Sequence, residues 1–250
     1  MREILADLAA QHEELWGLLA ALDESQWRLP SPCEGWDVTD VVLHLHQTDL
    51  LGLASLRGDL ARDIEDFMRA GGDDSVDDAA AAGVAHARGP SGAETGVQWR
   101  ESAAELHAAF ETVDSSARLQ WVVGQLSART LAATRLSECW IHTGDVATAL
   151  GVELAPTNRI RHIARLAWRT LPYAFERAGR ELVGPVAFDL VGPTGDRWEF
   201  GLDDDPVTVV RGRGVELCDV VGRRCAPGAT ALIATGPDGA AVLELVRTYA

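Results

Sequence analysis

Glu138, His142 and Asp145 carry the chemistry this sequence offers most plainly. They lie in Leu136–Gly151, L-S-E-C-W-I-H-T-G-D-V-A-T-A-L-G. Glu138 and His142 are four apart, and Asp145 follows three later. In a helix those spacings put the three side chains on one face, a turn apart. A carboxylate one turn from an imidazole can share a divalent metal, and transition metals such as zinc or nickel accept N and O ligands. Two ligands are too few, so the pattern asks for a third elsewhere in the chain. The alternative is a solvated i,i+4 contact without chemical consequence. Asp145, one turn beyond His142, is placed to accept a hydrogen bond from a metal-bound imidazole and fix its tautomer. Paired instead with a surface Arg, it would be an ordinary helix-face carboxylate.

The segment has to be a helix for this to hold. Ser127 can cap its start, A-R-T-L-A-A-T-R-L runs on without Gly or Pro, and Gly151 stops it as a left-handed cap. Leu131, Thr134, Glu138, Ile141 and Asp145 fall near one stripe. Burying a Glu and a His in such a stripe costs free energy unless they are paired or bind something. Gly144 costs about 1 kcal/mol against Ala inside a helix and is expected to mark a close helix crossing.

Three further helices are expected in the first part of the chain. Residues 2–22 carry Ile4, Leu5, Leu8, Leu15, Leu18 and Leu19 at helical spacing, with His12 read as a boundary histidine. Two prolines and a glycine in W-R-L-P-S-P-C-E-G-W bar a helix over 27–36. Asp37, with Asp40 three later, then caps a second helix that runs from Val38 towards Phe67. His44 shares a face with Asp40, Thr48 and Leu51, so it can point into a bundle; His46 lies on another face. Residues 70–92 read as an acidic, Gly-punctuated connection with a short Ala-rich helix and an exposed His86. Trp99–Val113 reads as a third helix with Leu106 and Phe110 inward, and residues 114–126 as a connection. After Gly151, a helix over 158–178 contains Pro172, which is expected to kink it, and ends at Gly179.

The pattern then changes. Val186–Val191 alternates as a strand and Arg197–Phe200 returns as its hairpin partner. Val207–Val210 and Ala231–Thr235 are further strands, and Gly214–Val221 and Ala240–Tyr249 short helices. The expected class is α+β: a helical bundle over 1–180, followed by a small α+β domain over 181–250.

Composition removes whole classes of function. All 22 basic residues are Arg, so a lysine Schiff base, a pyridoxal phosphate aldimine and a P-loop lysine are excluded. A net charge of −16 argues against nucleic acid and anionic membranes as partners. No G-x-G-x-x-G follows a strand-like run and no G-x-S-x-G occurs. No apolar run of about 18 residues exists, and the acidic N-terminus lacks a signal-peptide core, so a cytoplasmic protein is expected. Cys33, Cys139, Cys218 and Cys225 form no CxxC.

P-S-P-C-E-G-W-D-V-T-D-V-V-L-H-L resembles a signature of the mycothiol-dependent maleylpyruvate isomerase family, within the larger DinB-like group of metal-binding four-helix bundles. S-E-C-W-I-H-T-G-D-V-A-T-A-L-G is similar to that family's second signature. The closing strands, F-D-L-V-G-P-T-G-D-R-W-E-F and V-V-G-R-R, resemble its small sterol-carrier-like C-terminal domain. The resemblance implies a metal triad on His44, Glu138 and His142, with zinc, or nickel or another divalent ion, as the metal and mycothiol as the thiol cofactor. It also implies an arginine of the small domain near the pocket, best matched by Arg223, with Arg224 one position away. Three protein ligands leave an open metal position, the mark of a catalytic site, and a thiol held there loses its proton near neutral pH. The expected activity is isomerisation or S-transfer on a small electrophilic molecule, with none of the chain's own cysteines required. Two other readings stand beside it. One is a metal-dependent hydrolase assisted by Asp145 or Glu34, active without a thiol. The other is a non-enzymatic metal- or ligand-binding protein.

Overall fold

The computed structural model describes residues 1–60, 76–122 and 124–248. It divides into two compact units, Met1–Leu154 and Ala155–Ala250. The first is a bundle of four long helices: α1 (Arg2–Leu19), α3 (Val38–Arg57), α5 (Gly92–Glu111) and α6 (Ala128–Leu150). Two shorter helices, α2 (Glu24–Trp27) and α4 (Val76–Ala87), and a hairpin of β1 (Arg118–Trp121) and β2 (Gly124–Ser127) join them.

The ends of these helices follow from local chemistry. Asp37 caps α3 by accepting from the Asp40 amide at 3.0 Å, while Asp40 accepts from the Asp37 amide at 3.2 Å. The helix stops at Arg57 because Gly58 turns left-handed, with φ 82°. It is therefore shorter than expected, and Phe67 lies outside the described residues. α5 starts at Gly92, ahead of the expected Trp99, through a Ser91–Glu94 capping box. Gly92 suggested loop, but a Cβ there would run into the Trp27 ring, so the glycine serves close packing. α6 runs as expected from a Ser127 cap to a left-handed Gly151.

Leu15, Leu19, Trp27, Val42, Trp99 and Val146 belong to one buried cluster that holds the helices together. Each such apolar side chain, fully buried, contributes about 1.5–3 kcal/mol. His12 lies in this interior rather than at a boundary, its ring edge-on to Trp99 at 5.8 Å. The connection 114–126 contains the β1–β2 hairpin and buries Trp121.

The second unit is a four-stranded sheet in the order β4-β3-β5-β6, built from β3 (Val186–Val191), β4 (Arg197–Phe200), β5 (Thr208–Arg213) and β6 (Ile233–Thr235). β3 pairs antiparallel with β4 and parallel with β5; β5 pairs antiparallel with β6. Helices α7 (Arg161–Arg177), α8 (Gly214–Val221) and α9 (Gly239–Leu245) complete it. α7 runs through Pro172. It groups with the sheet: Trp168 Nε1 donates to the Val186 carbonyl at 2.7 Å and its ring stacks on Phe200. The helical pattern continues through α7 and places the expected division at 180; the structure divides after Leu154. No helix among the described residues is long and apolar enough to cross a membrane.

Candidate metal centre

α3 and α6 pack together and bring His44 to the Glu138–His142 face. His44 Nε2 lies 3.3 Å from Glu138 Oε2, and His142 Nε2 lies 3.8 Å from the same oxygen. One ligand atom from each residue lies within 4.8 Å of the others, and all three residues are buried. The imidazole rings meet edge to face, 5.0 Å apart. Two nitrogens and one carboxylate oxygen suit zinc and related divalent ions. A tetrahedral ion with ligands at about 2.0–2.1 Å requires ligand–ligand edges of about 3.3–3.4 Å. The 3.3 and 3.8 Å separations of the two imidazole nitrogens from Glu138 Oε2 are close to that spacing, so these side chains fit a metal with little movement.

Asp145 lies where a supporting group is needed. Its Oδ2 is 2.9 Å from His142 Nδ1, which leaves His142 Nε2 facing Glu138. His46 points elsewhere, with Nδ1 on Ser102 Oγ at 2.9 Å. Gly144 marks no close crossing: a Cβ built there would meet nothing within 4 Å, so the helix face it opens is free. Cys139, beside Glu138, is buried and directed to the Thr143 hydroxyl, away from the triad.

The electrostatics are those of a tightly coupled buried cluster. Burial pushes the Glu138 carboxyl up, but the hydrogen bond to His44 and the charges of His142 and Arg135 bring it down to about 2. Burial opposes charge on His142 too, yet the hydrogen bonds its ring makes to Asp145 and Cys33, with the Glu138 charge, raise it to about 9. Burial holds His44 below the usual histidine range, against the pull of Glu138. A negative Glu138 thus sits between one ring that favours its proton and one that does not.

Two features escaped the sequence reading. Arg135, three residues before Glu138, is buried in the bundle; its Nε donates to Asp49 Oδ1 at 3.1 Å and its Nη2 to Thr48 Oγ1 at 2.7 Å. These bonds tie α6 to α3 one turn from the His44–Glu138 contact. The signal was an Arg in a run of apolar and small residues, A-A-T-R-L. The other is Cys33, whose Sγ lies 3.3 Å from Asp145 Oδ2. Among the described residues, Cys33, His142 and Asp145 form a second three-donor group that shares His142 with the first.

Glu34 is exposed in the connection before α3. Arg223 belongs to the second unit. It is exposed, its backbone is left-handed at φ 60°, and its Nη1 reaches the Glu244 carbonyl at 3.4 Å. Arg224 Nη1 turns back on the Gly222 carbonyl at 2.8 Å.

Residues 8–147 match the family model described as the mycothiol maleylpyruvate isomerase N-terminal domain. Two uncharacterized proteins of Mycobacterium tuberculosis, from strains CDC 1551 / Oshkosh and ATCC 25618 / H37Rv, are each 33% identical over 250 residues, 98% of this chain and 95% of theirs. A crystal structure of the mycothiol-dependent maleylpyruvate isomerase is similar in fold, with a TM-score of 0.59 at 16% identity, over 94% of this chain and 92% of that one. A crystal structure of a histidine-to-alanine mutant of that enzyme has a TM-score of 0.57 at 17% identity, over 88% and 87%.

Proposed function

Since this chain belongs to the mycothiol maleylpyruvate isomerase N-terminal domain family, we propose that it is a metal-dependent, thiol-using enzyme acting on a small electrophilic molecule, with isomerisation as its reaction class. The observation that carries this reading is the buried His44–Glu138–His142 cluster, intact in residue type and close to ligand spacing. His44, Glu138 and His142 would hold the ion through Nε2, Oε2 and Nε2. When bound, a divalent metal supplies positive charge that favours the ionised form of a thiol, and mycothiol supplies the thiol.

The chain's own residues do the rest. Glu138 brings one negative charge to the site, and its low pKa keeps that charge through the neutral range. Asp145 accepts from His142 Nδ1, holding the ring so that Nε2 stays available and its lone pair is directed at the ligand position. Burial of all three ligand side chains lowers the local dielectric, which strengthens every charge interaction there. Trp36, its ring 5.2 Å from that of His44, packs an apolar group against the cluster. Arg223 recognises an anionic group of the substrate or the thiol, because an arginine fork grips a carboxylate in a chain that is otherwise strongly acidic.

The test is metal analysis of the purified protein, followed by assay of candidate electrophiles with and without mycothiol. The reading predicts a bound divalent metal and turnover only with the thiol. Turnover without any thiol would favour hydrolysis. Stoichiometric metal without turnover or thiol binding would favour a carrier.

A further inference from the structure

The connection between α2 and α3 reaches both imidazoles of the cluster. At one end Cys33 Sγ lies 3.3 Å from Asp145 Oδ2, the same oxygen that lies 2.9 Å from His142 Nδ1. At the other end Trp36 lies against the His44 ring. The loop between them is held in shape. The Cys33 amide donates to Ser31 Oγ at 3.2 Å, and that hydroxyl donates to the Trp36 carbonyl at 2.9 Å. Gly35 takes φ 75°, a conformation that favours glycine, and Arg88 Nη2 donates to its carbonyl at 3.1 Å while also gripping Asp40. Cys33 is half-buried, so its thiol is built into the site's wall.

We propose that Cys33 is a positioning residue for the metal centre, its thiol donating to Asp145 Oδ2 and so fixing the carboxylate that orients His142. This rests on the metal-centre reading above. An ionised carboxylate only accepts, so of Cys33 and Asp145 the thiol is the donor. Asp145 Oδ2 then receives two hydrogens, one from sulfur and one from His142 Nδ1. Two donors on one oxygen define its position better than one, and a fixed oxygen holds the Nδ1 edge of His142 so that Nε2 stays turned towards Glu138 and a metal. The loop becomes the third element, with α3 and α6, that shapes the site.

The experiment compares Cys33→Ala, Cys33→Ser and the wild type. Serine keeps a short O–H donor; alanine removes it. Two quantities are measured on the full chain. One is metal affinity by competition with a chromophoric chelator, using zinc alone. The other is the hydrogen bond of His142 Nδ1–H to Asp145 in the metal-free protein, from the proton and nitrogen chemical shifts of that N–H in labelled histidine at fixed neutral pH. Cys33→Ala should weaken zinc roughly three- to tenfold, as expected for one lost hydrogen bond behind a ligand, and should shift or broaden the His142 Nδ1–H signal. Cys33→Ser should stay near wild type in both. Wild-type values in Cys33→Ala, or equal losses in both variants, would overturn the proposal, since packing alone would then explain Cys33. So would a sulfur-to-cobalt charge-transfer band in the cobalt(II) protein that Cys33→Ala abolishes, because Cys33 would then be a ligand. If the wild type binds no zinc, the metal-centre reading fails, and the His142 Nδ1–H signal still decides the role of Cys33.

Discussion

Asp145 Oδ2 stands 2.9 Å from His142 Nδ1, on the opposite edge of the ring from the nitrogen that faces Glu138. One carboxylate therefore anchors one edge of a candidate ligand's ring and sets its tilt. Asp145→Asn keeps the shape but presents an amide where an anion stood. It should leave the fold intact and weaken metal binding roughly 10–100-fold, read by chelator competition. An unchanged affinity would make Asp145 an ordinary buried partner of the ring.

Metal uptake should release a proton. His142 is raised to about 9 by Asp145, Cys33 and Glu138, so in the metal-free protein it carries a proton at neutral pH. A metal must displace that proton, and its apparent affinity should rise by up to about tenfold per pH unit below pH 9. Isothermal titration in buffers of different ionisation enthalpy counts the protons. Affinity that is flat across the neutral range would mean that His142 is neutral there.

Arg135 and Asp49 are an ion pair inside the bundle, both almost fully buried. Burial pushes the Asp49 carboxyl up to about 6 even though Arg135 opposes it. Removing one partner leaves the other charged and unpaired. Arg135→Met should cost about 3–5 kcal/mol in urea unfolding, and Arg135→Met with Asp49→Leu should recover most of that. Metal content should fall in the single variant, because the same bonds set the register of α3 on α6. Equal stability in single and double variants would remove the pair from the account.

The metal-free fold should be acid-labile through His12. Burial, with Arg135, His107 and Arg100 nearby, lowers it to about 3, while the unfolded chain takes the proton near its ordinary value of about 6.5. A depressed folded pKa gives stability that is present above pH 6.5 and lost as pH falls towards 3. The slope from one such group is at most about 1.4 kcal/mol per pH unit. His12→Gln should flatten the fall in unfolding free energy between about pH 6 and 4; an identical slope would mean that His12 is charged in the fold.

Arg223→Lys keeps the charge and loses the planar fork. Under the proposed function it should weaken binding of an anionic substrate or of the thiol, with metal content and melting temperature unchanged. The same loss in Arg224→Lys alone would move the role by one residue. Wild-type behaviour in both would leave the second unit without an anion-binding part.

What could be read from the chain and what could not divides by the range of the interaction. The Asp37 and Ser127 caps, the Gly151 stop and the i,i+4 pair of Glu138 and His142 are local, and their spacing carried them. The burial of His12 against Trp99 is not local, so a histidine at the edge of an apolar stripe looked like a boundary residue. Gly92 resembled a breaker because the Trp27 ring that requires it comes from another element. Arg135 and Cys33 are legible only through partners 86 and 112 residues away in sequence. Gly144 looked like a crossing point because a helical glycine costs stability, but it faces open space.

The proposed function stands on the joint binding of one divalent metal by His44, Glu138 and His142. Its most direct test is elemental analysis of purified wild type, His44→Ala and Glu138→Ala after passage over a chelating resin, with circular dichroism to confirm that each is folded. One equivalent of a divalent metal is expected in the wild type and little in either variant. A folded His44→Ala protein that keeps a full equivalent would contradict it.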